Sequence, residues 1–181
     1  MKAVRRFFMA VLEIKQFPAP VLRAKGRPVG EITPEIQRLI DDMTETMYAA
    51  PGVGLAAPQV GVPLRLAVID VSLKGEGHPL VVLINPEIIS GEGESEEEEG
   101  CLSVHDFNAA IKRRARVTVR ATDREGRPFE VTGDGLLAKA LQHEIDHLDG
   151  LLILDRVSPL KRELYKRRIR KDLNAEGAGG A

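Results

Sequence analysis

The stretch Gln142-His143-Glu144-Ile145-Asp146-His147-Leu148-Asp149-Gly150 carries the decisive pattern of this chain. On an α-helix, residues i and i+4 project from one face, so His143 and His147 bring two imidazoles to one point. Glu144, one position on, can meet a water beside a metal ion held there. The helix is indicated independently of the motif. Leu136, Leu137, Ala140, Leu141 and Leu148 form an apolar stripe at helical spacing. It is expected over residues 135–149, with Asp134 as N-cap and Gly150 as the C′ residue. The chain has only four histidines, and surface residues falling on this spacing by chance are a poor competitor.

Two histidines do not complete a catalytic metal site, which usually has three protein ligands and one open position. Metzincins place a third histidine six residues after the second, and here Ile153 stands there, although Gly150 is kept. A downstream glutamate would have to be Glu163, in a basic segment. The remaining candidates are His78, His105 and Cys101. A lone cysteine is most often a small buried hydrophobe. An incomplete two-histidine site in the same chain raises the standing of this one, and Gly100 before it allows close backbone approach.

Working outward, a first helix is expected over residues 33–50. Thr33 suits an N-cap and Pro34 the first turn, and Ile36, Leu39, Ile40, Met43 and Met47 make one apolar face. A small-residue loop follows, Gly52-Val53-Gly54-Leu55-Ala56-Ala57-Pro58-Gln59. Strand-like runs cover residues 64–71, 80–84, 116–122 and 129–132. Short strands without intervening helices favour antiparallel sheets over a βαβ design. A third helix is expected from Ser158-Pro159 to about Asp172. Residues 1–8 read as a loose extension and 174–181 as a disordered Gly/Ala-rich tail of a single domain spanning 1–181.

Composition excludes several classes. One cysteine among 181 residues cannot make an internal disulfide, so a disulfide-built secreted scaffold is out. A net charge of −1 argues against a whole-domain DNA binder, and five Phe, two Tyr and no Trp leave little for base stacking. No apolar run is long enough to span a bilayer. A cytoplasmic protein is expected. Charge is nevertheless uneven: residues 92–99 hold six glutamates and residues 156–171 hold eight Lys/Arg.

Three segments in order make the chain similar to the peptide deformylase family: the loop of form GxGxAAxQ (Gly52 to Gln59), Glu99-Gly100-Cys101-Leu102-Ser103, and the HExxH helix. Cys101, His143 and His147 match the family's metal ligands, and Glu144 its general acid/base. Gln59 and the backbone N–H of Leu102 match the groups that stabilise the oxyanion. Val53 and Gly54 match the edge that pairs with substrate, with Gly100 close by. Arg113 falls where many members carry an arginine near the substrate main chain, with Arg114 adjacent. Leu136, Ala140, Leu141 and His143 are candidates for the methionine pocket. His105 departs from the family, which commonly has proline after the CLSV run.

The resemblance implies an α+β fold, with antiparallel β-sheets packed around a central HExxH-bearing helix and with N-terminal and C-terminal helices. It implies co-translational hydrolysis of N-formylmethionine on nascent polypeptides, releasing formate. It implies one divalent metal ion, natively Fe2+, with Zn2+, Ni2+ or Co2+ as substitutes. The expected partners are formyl-methionyl nascent peptides and, through the basic C-terminal helix, the ribosome. A monomer without membrane or DNA contact is expected. The rival reading, a zinc endopeptidase, shares HExxH but needs a different third ligand.

Overall fold

The computed structural model describes residues 10–75 and 77–178. The extension expected over residues 1–8 lies outside them. Helix α1 (Pro34–Ala49) starts as its sequence dictates: Thr33 is extended, and its hydroxyl accepts the Ile36 N–H at 3.4 Å. Seven strands follow one another before the next long helix. They are β1 (Gly54–Ala56), β2 (Leu66–Ile69), β3 (Val81–Glu92), β4 (Ser95–Cys101), β5 (Val104–Arg113), β6 (Arg116–Thr122) and β7 (Pro128–Asp134). All pairings between these strands are antiparallel, and an isolated bridge between Arg27 and Leu64 is parallel. One sheet has the order β1-β2-β3-β6-β7, and β4 and β5 form a separate hairpin.

The period of two along a strand explains how one sheet serves two cores. Leu55, Leu66 and Val68 face α1 and pack with its buried Ile40, Met43 and Met47. Ala56, Ala67 and Ile69 face the other way, against α2 (Gly135–Leu148), whose Leu137, Leu141 and Leu148 are buried. The HExxH helix is therefore enclosed, as the α+β expectation required. α3 (Pro159–Ala178) closes a third cluster, in which Tyr165 meets Phe17 and Phe107. It continues past Asp172 to Ala178, through part of the stretch expected to be an irregular tail. Asn174 and Ala175 contain no helix breaker. Residues 179–181 lie outside the described part.

Gly150 ends α2 with a Schellman motif. Its φ of 75° is left-handed, its N–H donates to the His147 carbonyl at 3.1 Å, and the Leu151 N–H donates to the Asp146 carbonyl at 2.8 Å. A Cβ here would sit 2.6 Å from the Arg23 carbonyl oxygen. Gly150→Ala is expected to cost about 1–3 kcal/mol through strain and clash. Chemical denaturation checks this, and an unchanged midpoint contradicts it.

Candidate metal centre

The centre lies where α2 meets the β4–β5 hairpin. His143 and His147 share one face of α2, and their Nε2 atoms lie 3.2 Å apart. Cys101, at the end of β4, brings its Sγ to 3.3 Å from His147 Nε2. The three ligand atoms lie within 4.8 Å of one another. A register shift between Gly100 and Cys101 tilts the strand end toward α2. At Gly100 a Cβ would come within 2.5 Å of Oδ1 of the exposed Asn108 side chain, which would have to move aside.

The donor set fits a divalent cation on the structure's own terms. Glu99 Oε2 lies 3.0 Å from His143 Nδ1. When Nδ1–H donates to that carboxylate, the Nε2 lone pair faces inward. Two inward nitrogens at 3.2 Å with a sulfur beside them need positive charge between them. The electrostatics agree. Burial disfavours protonation of His143, yet Cys101 and Glu99 outweigh it and hold its pKa well above the ordinary histidine range. Burial, then the charge of His143, push His147 well below that range. A cation held between these groups would take the place of that proton. Thiolate and imidazole ligation suits Zn2+ and Fe2+ alike.

Glu144 is buried beside the ligands, and its Oε2 has no hydrogen-bond partner among the described residues. Burial, only partly offset by His143 and Arg113, pushes its pKa up to about 7. A carboxyl so placed exchanges protons near neutral pH. Gly54 makes room for it: a Cβ there would come within 2.8 Å of Glu144 Cδ and strike Oε1. Gly54→Ala is therefore expected to lower turnover at least tenfold by displacing this carboxylate. Turnover equal to that of the unmodified enzyme contradicts this.

Gln59 is 2% exposed. Its Oε1 accepts the Ala56 N–H at 2.9 Å, which fixes the amide and turns Nε2 toward Ser103 Oγ (3.1 Å) and Cys101 Sγ (3.8 Å). Leu102 follows the cysteine directly, and the Gln16 side chain holds its carbonyl at 2.7 Å. β1 is an edge strand. Just before it, the Val53 carbonyl accepts the Asp70 N–H at 2.9 Å. Beside the centre is a cavity of about 220 Å³, lined by Val53, Gly100, Leu136, Ala140 and His143, with Glu98, Glu99 and Lys139. Leu141 is not in its wall but fully buried in the core.

Arg113 requires a correction. It does not face a substrate groove; its side chain is 3% exposed. Nε and Nη2 bond both oxygens of Glu99 at 2.8 and 2.9 Å, and Nη1 bonds Asp146 Oδ2 at 2.6 Å. Three of its five N–H groups are engaged by these two carboxylates. The other third-ligand candidates lie away from the centre. His78 is exposed beside Asp134. His105 is exposed, with its ring 3.3 Å from Asp106 Oδ2, and its backbone carbonyl accepts the Tyr165 hydroxyl at 3.0 Å. Glu163 pairs with Lys166. Asp134 stands at the N-cap of α2 with extended backbone, as expected, but its carboxylate pairs with Arg116 and makes no capping bond.

Sequence reasoning missed Glu99, Ser103, Asp146 and Arg156. Glu99 was hidden in a run of like charges. No strand alternation marks it out: in β4, Glu96, Glu97 and Glu98 are all exposed and only Glu99 is buried. Hydrogen bonds from Arg113 and His143 overcome the burial that would raise its pKa and hold it down at about 2.

A thiolate and two imidazoles converging beside a buried carboxyl on a HExxH helix define a metal-dependent hydrolase. The sequence model of the polypeptide deformylase family matches residues 11–163. The chain belongs to the polypeptide deformylase family. It is 54% identical over 162 residues to a peptide deformylase of Thermodesulfovibrio yellowstonii, covering 90% of this chain and 98% of that one. A solved peptide deformylase of Legionella pneumophila is 49% identical with a TM-score of 0.84, covering 93% of this chain and 98% of that one. One from Ehrlichia chaffeensis, solved in complex with actinonin, is 38% identical with a TM-score of 0.84, over 91% of this chain and 98% of that one.

Proposed function

We propose that Cys101, His143 and His147 hold one divalent metal ion, natively Fe2+, with Zn2+, Ni2+ or Co2+ as substitutes, and that Glu144 works beside it as general base and acid. The chain is a metal-dependent hydrolase that removes the N-formyl group from nascent polypeptides. The observation that carries the residue assignments is the convergence of three ligand atoms within 4.8 Å next to the Glu144 carboxyl, whose Oε2 has no hydrogen-bond partner among the described residues. A cation bound there supplies Lewis acidity, which acidifies a water and polarises the formyl carbonyl.

The chain's own groups do the rest. Glu144 takes a proton from the attacking water as oxygen bonds to the formyl carbon. Negative charge gathers on the formyl oxygen, where Gln59 Nε2 and the Leu102 N–H donate hydrogen bonds. Glu144 then gives its proton to the amine nitrogen as the carbon–nitrogen bond breaks. Formate and a free N-terminal methionine leave. The free edge before and along β1, at Val53 and Gly54, pairs with the peptide main chain, with Gly100 opposite, so binding is insensitive to most side chains. The cavity walled by Val53, Leu136 and Ala140 receives the methionine side chain.

The reaction places the enzyme in the cytoplasm, on chains leaving the ribosome. It acts there as a monomer without DNA or membrane partners. No helix among the described residues is long and apolar enough to cross a membrane. The basic helix α3 makes a transient ribosome contact. Cosedimentation with ribosomes that weakens steeply with salt is expected, and salt-independent or absent binding contradicts that contact.

A substrate panel tests the reading. Formate is expected from formyl-Met-Ala-Ser, with no cleavage of internal peptide bonds; cleavage of internal bonds would indicate an endopeptidase. Gln59→Leu removes one oxyanion donor and is expected to lower kcat by about 10²–10³-fold with little change in KM. A change confined to KM contradicts that role.

A further inference from the structure

A chain of charged hydrogen bonds runs from a metal ligand to the entry of the C-terminal helix. His143 Nδ1 lies 3.0 Å from Glu99 Oε2. Glu99 takes two bonds from Arg113, and Arg113 Nη1 reaches Asp146 Oδ2 at 2.6 Å. The outer end is Arg156. Its Nη2 donates to Asp146 Oδ1 at 2.5 Å and its Nε to Oδ2 at 3.1 Å. Arg156 follows the short helical turn Ile153–Asp155 and precedes α3. Arg113, Asp146 and Arg156 line a cavity of about 290 Å³, whereas Glu99 and His143 line the separate pocket beside Val53 and Ala140.

We infer that Arg156 is a positioning residue for the metal centre, acting through Asp146, Arg113 and Glu99 to fix the His143 imidazole. This deepens the proposed function and rests on its assignment of the ligands. Two charge facts carry it. The chain pairs two carboxylates with two guanidiniums, so removing Arg156 leaves an uncompensated negative charge on the metal-bearing helix. Asp146 Oδ2 is shared between Arg113 and Arg156, so Asp146 is held from both sides. Without Arg156 it can turn, Arg113 loses one of its anchors, and Glu99 no longer presents one fixed oxygen to Nδ1. Arg156 binds Asp146 through two nitrogens and Arg113 bonds its two carboxylates through three, geometries that lysine cannot reproduce.

Partners that touch a metal-bound histidine directly are worth about 10–100-fold in metal affinity. Arg156 is further out and its side chain is 41% exposed, so about three- to tenfold is expected. The test is Co2+ binding to the metal-free protein, measured by competition with a chelator and by the visible absorption of the Co2+ protein. The unmodified chain is expected to bind one Co2+. Arg156→Ala is expected to bind it three- to tenfold more weakly with an altered absorption band. Arg156→Lys is expected to recover part of the loss. Arg167→Ala, which removes an equal charge from an exposed site on α3, is expected to leave the affinity unchanged.

If Arg156→Ala lowers thermal stability but binds Co2+ within twofold of the unmodified chain, the residue is merely structural and the inference is overturned. Should that variant not fold, Arg156→Gln decides by the same criterion. If the unmodified chain binds no Co2+, the ligand assignment falls too. The two failures are thereby distinguished.

Discussion

Glu144→Gln is expected to retain one equivalent of metal while kcat falls by about 10³–10⁴-fold. Glutamine keeps the volume of the side chain, so it still fits against Gly54, where no Cβ could be accommodated. It removes the ability to take up and release a proton. The carboxyl is well suited to that exchange: it is buried, one oxygen lacks a partner, and its pKa is pushed up to about 7. Because burying that charge opposes folding, the amide is expected not to lower the thermal midpoint. Metal content by atomic absorption, formate release and a melting curve together separate lost chemistry from lost structure. A variant that keeps a tenth of the activity would refute the base assignment.

The second large effect is expected from Cys101→Ala, which should abolish stoichiometric metal binding and with it measurable turnover. Three ligand atoms converge here, and Cys101 Sγ is the one sulfur among them. Without it, two neutral imidazoles on one helical turn form a weak chelate. The substitution is small and the site is half-buried, so the fold is expected to survive. The Ser103 N–H, 3.5 Å from Sγ, loses its acceptor. Unchanged metal content in this variant contradicts the ligand assignment. The thiolate is also the oxidation liability of the centre: oxygen exposure is expected to remove metal and activity together.

Some of this was legible in the sequence for identifiable physical reasons. α1 and α2 carry long 3.6-residue apolar periods with cap residues, and both formed close to their expected bounds. β6 matched residue for residue. β4 and β5 were not foreseen. A run of glutamates reads as a solvated stretch, yet β4 needs only its partner strand and one buried carboxylate, Glu99, paired with Arg113. In β5 the alternation of Ala109, Ile111 and Arg113 was present, but its last buried member is charged. Outer β3 carried no apolar alternation: it is mostly exposed, and its two isoleucines, Ile88 and Ile89, are adjacent and exposed.

The motifs made the ligand candidates visible because chemistry fixes residue type and spacing there. The supports behind them were not visible. Glu99, Arg113, Asp146 and Arg156 come from four different elements and meet only through the packing of the hairpin on α2. Arg113 shows the difference: its charge suggested a substrate contact, whereas burial between two carboxylates makes it a strut.

The measurement that bears most directly on the central claim is a titration of metal-free protein with Fe2+ under anaerobic conditions, following formate release from formyl-Met-Ala-Ser. Activity is expected to rise linearly and stop at one equivalent, and Cys101→Ala is expected to show no such rise. Turnover by the metal-free protein, or full metal loading without formate release, would contradict the account.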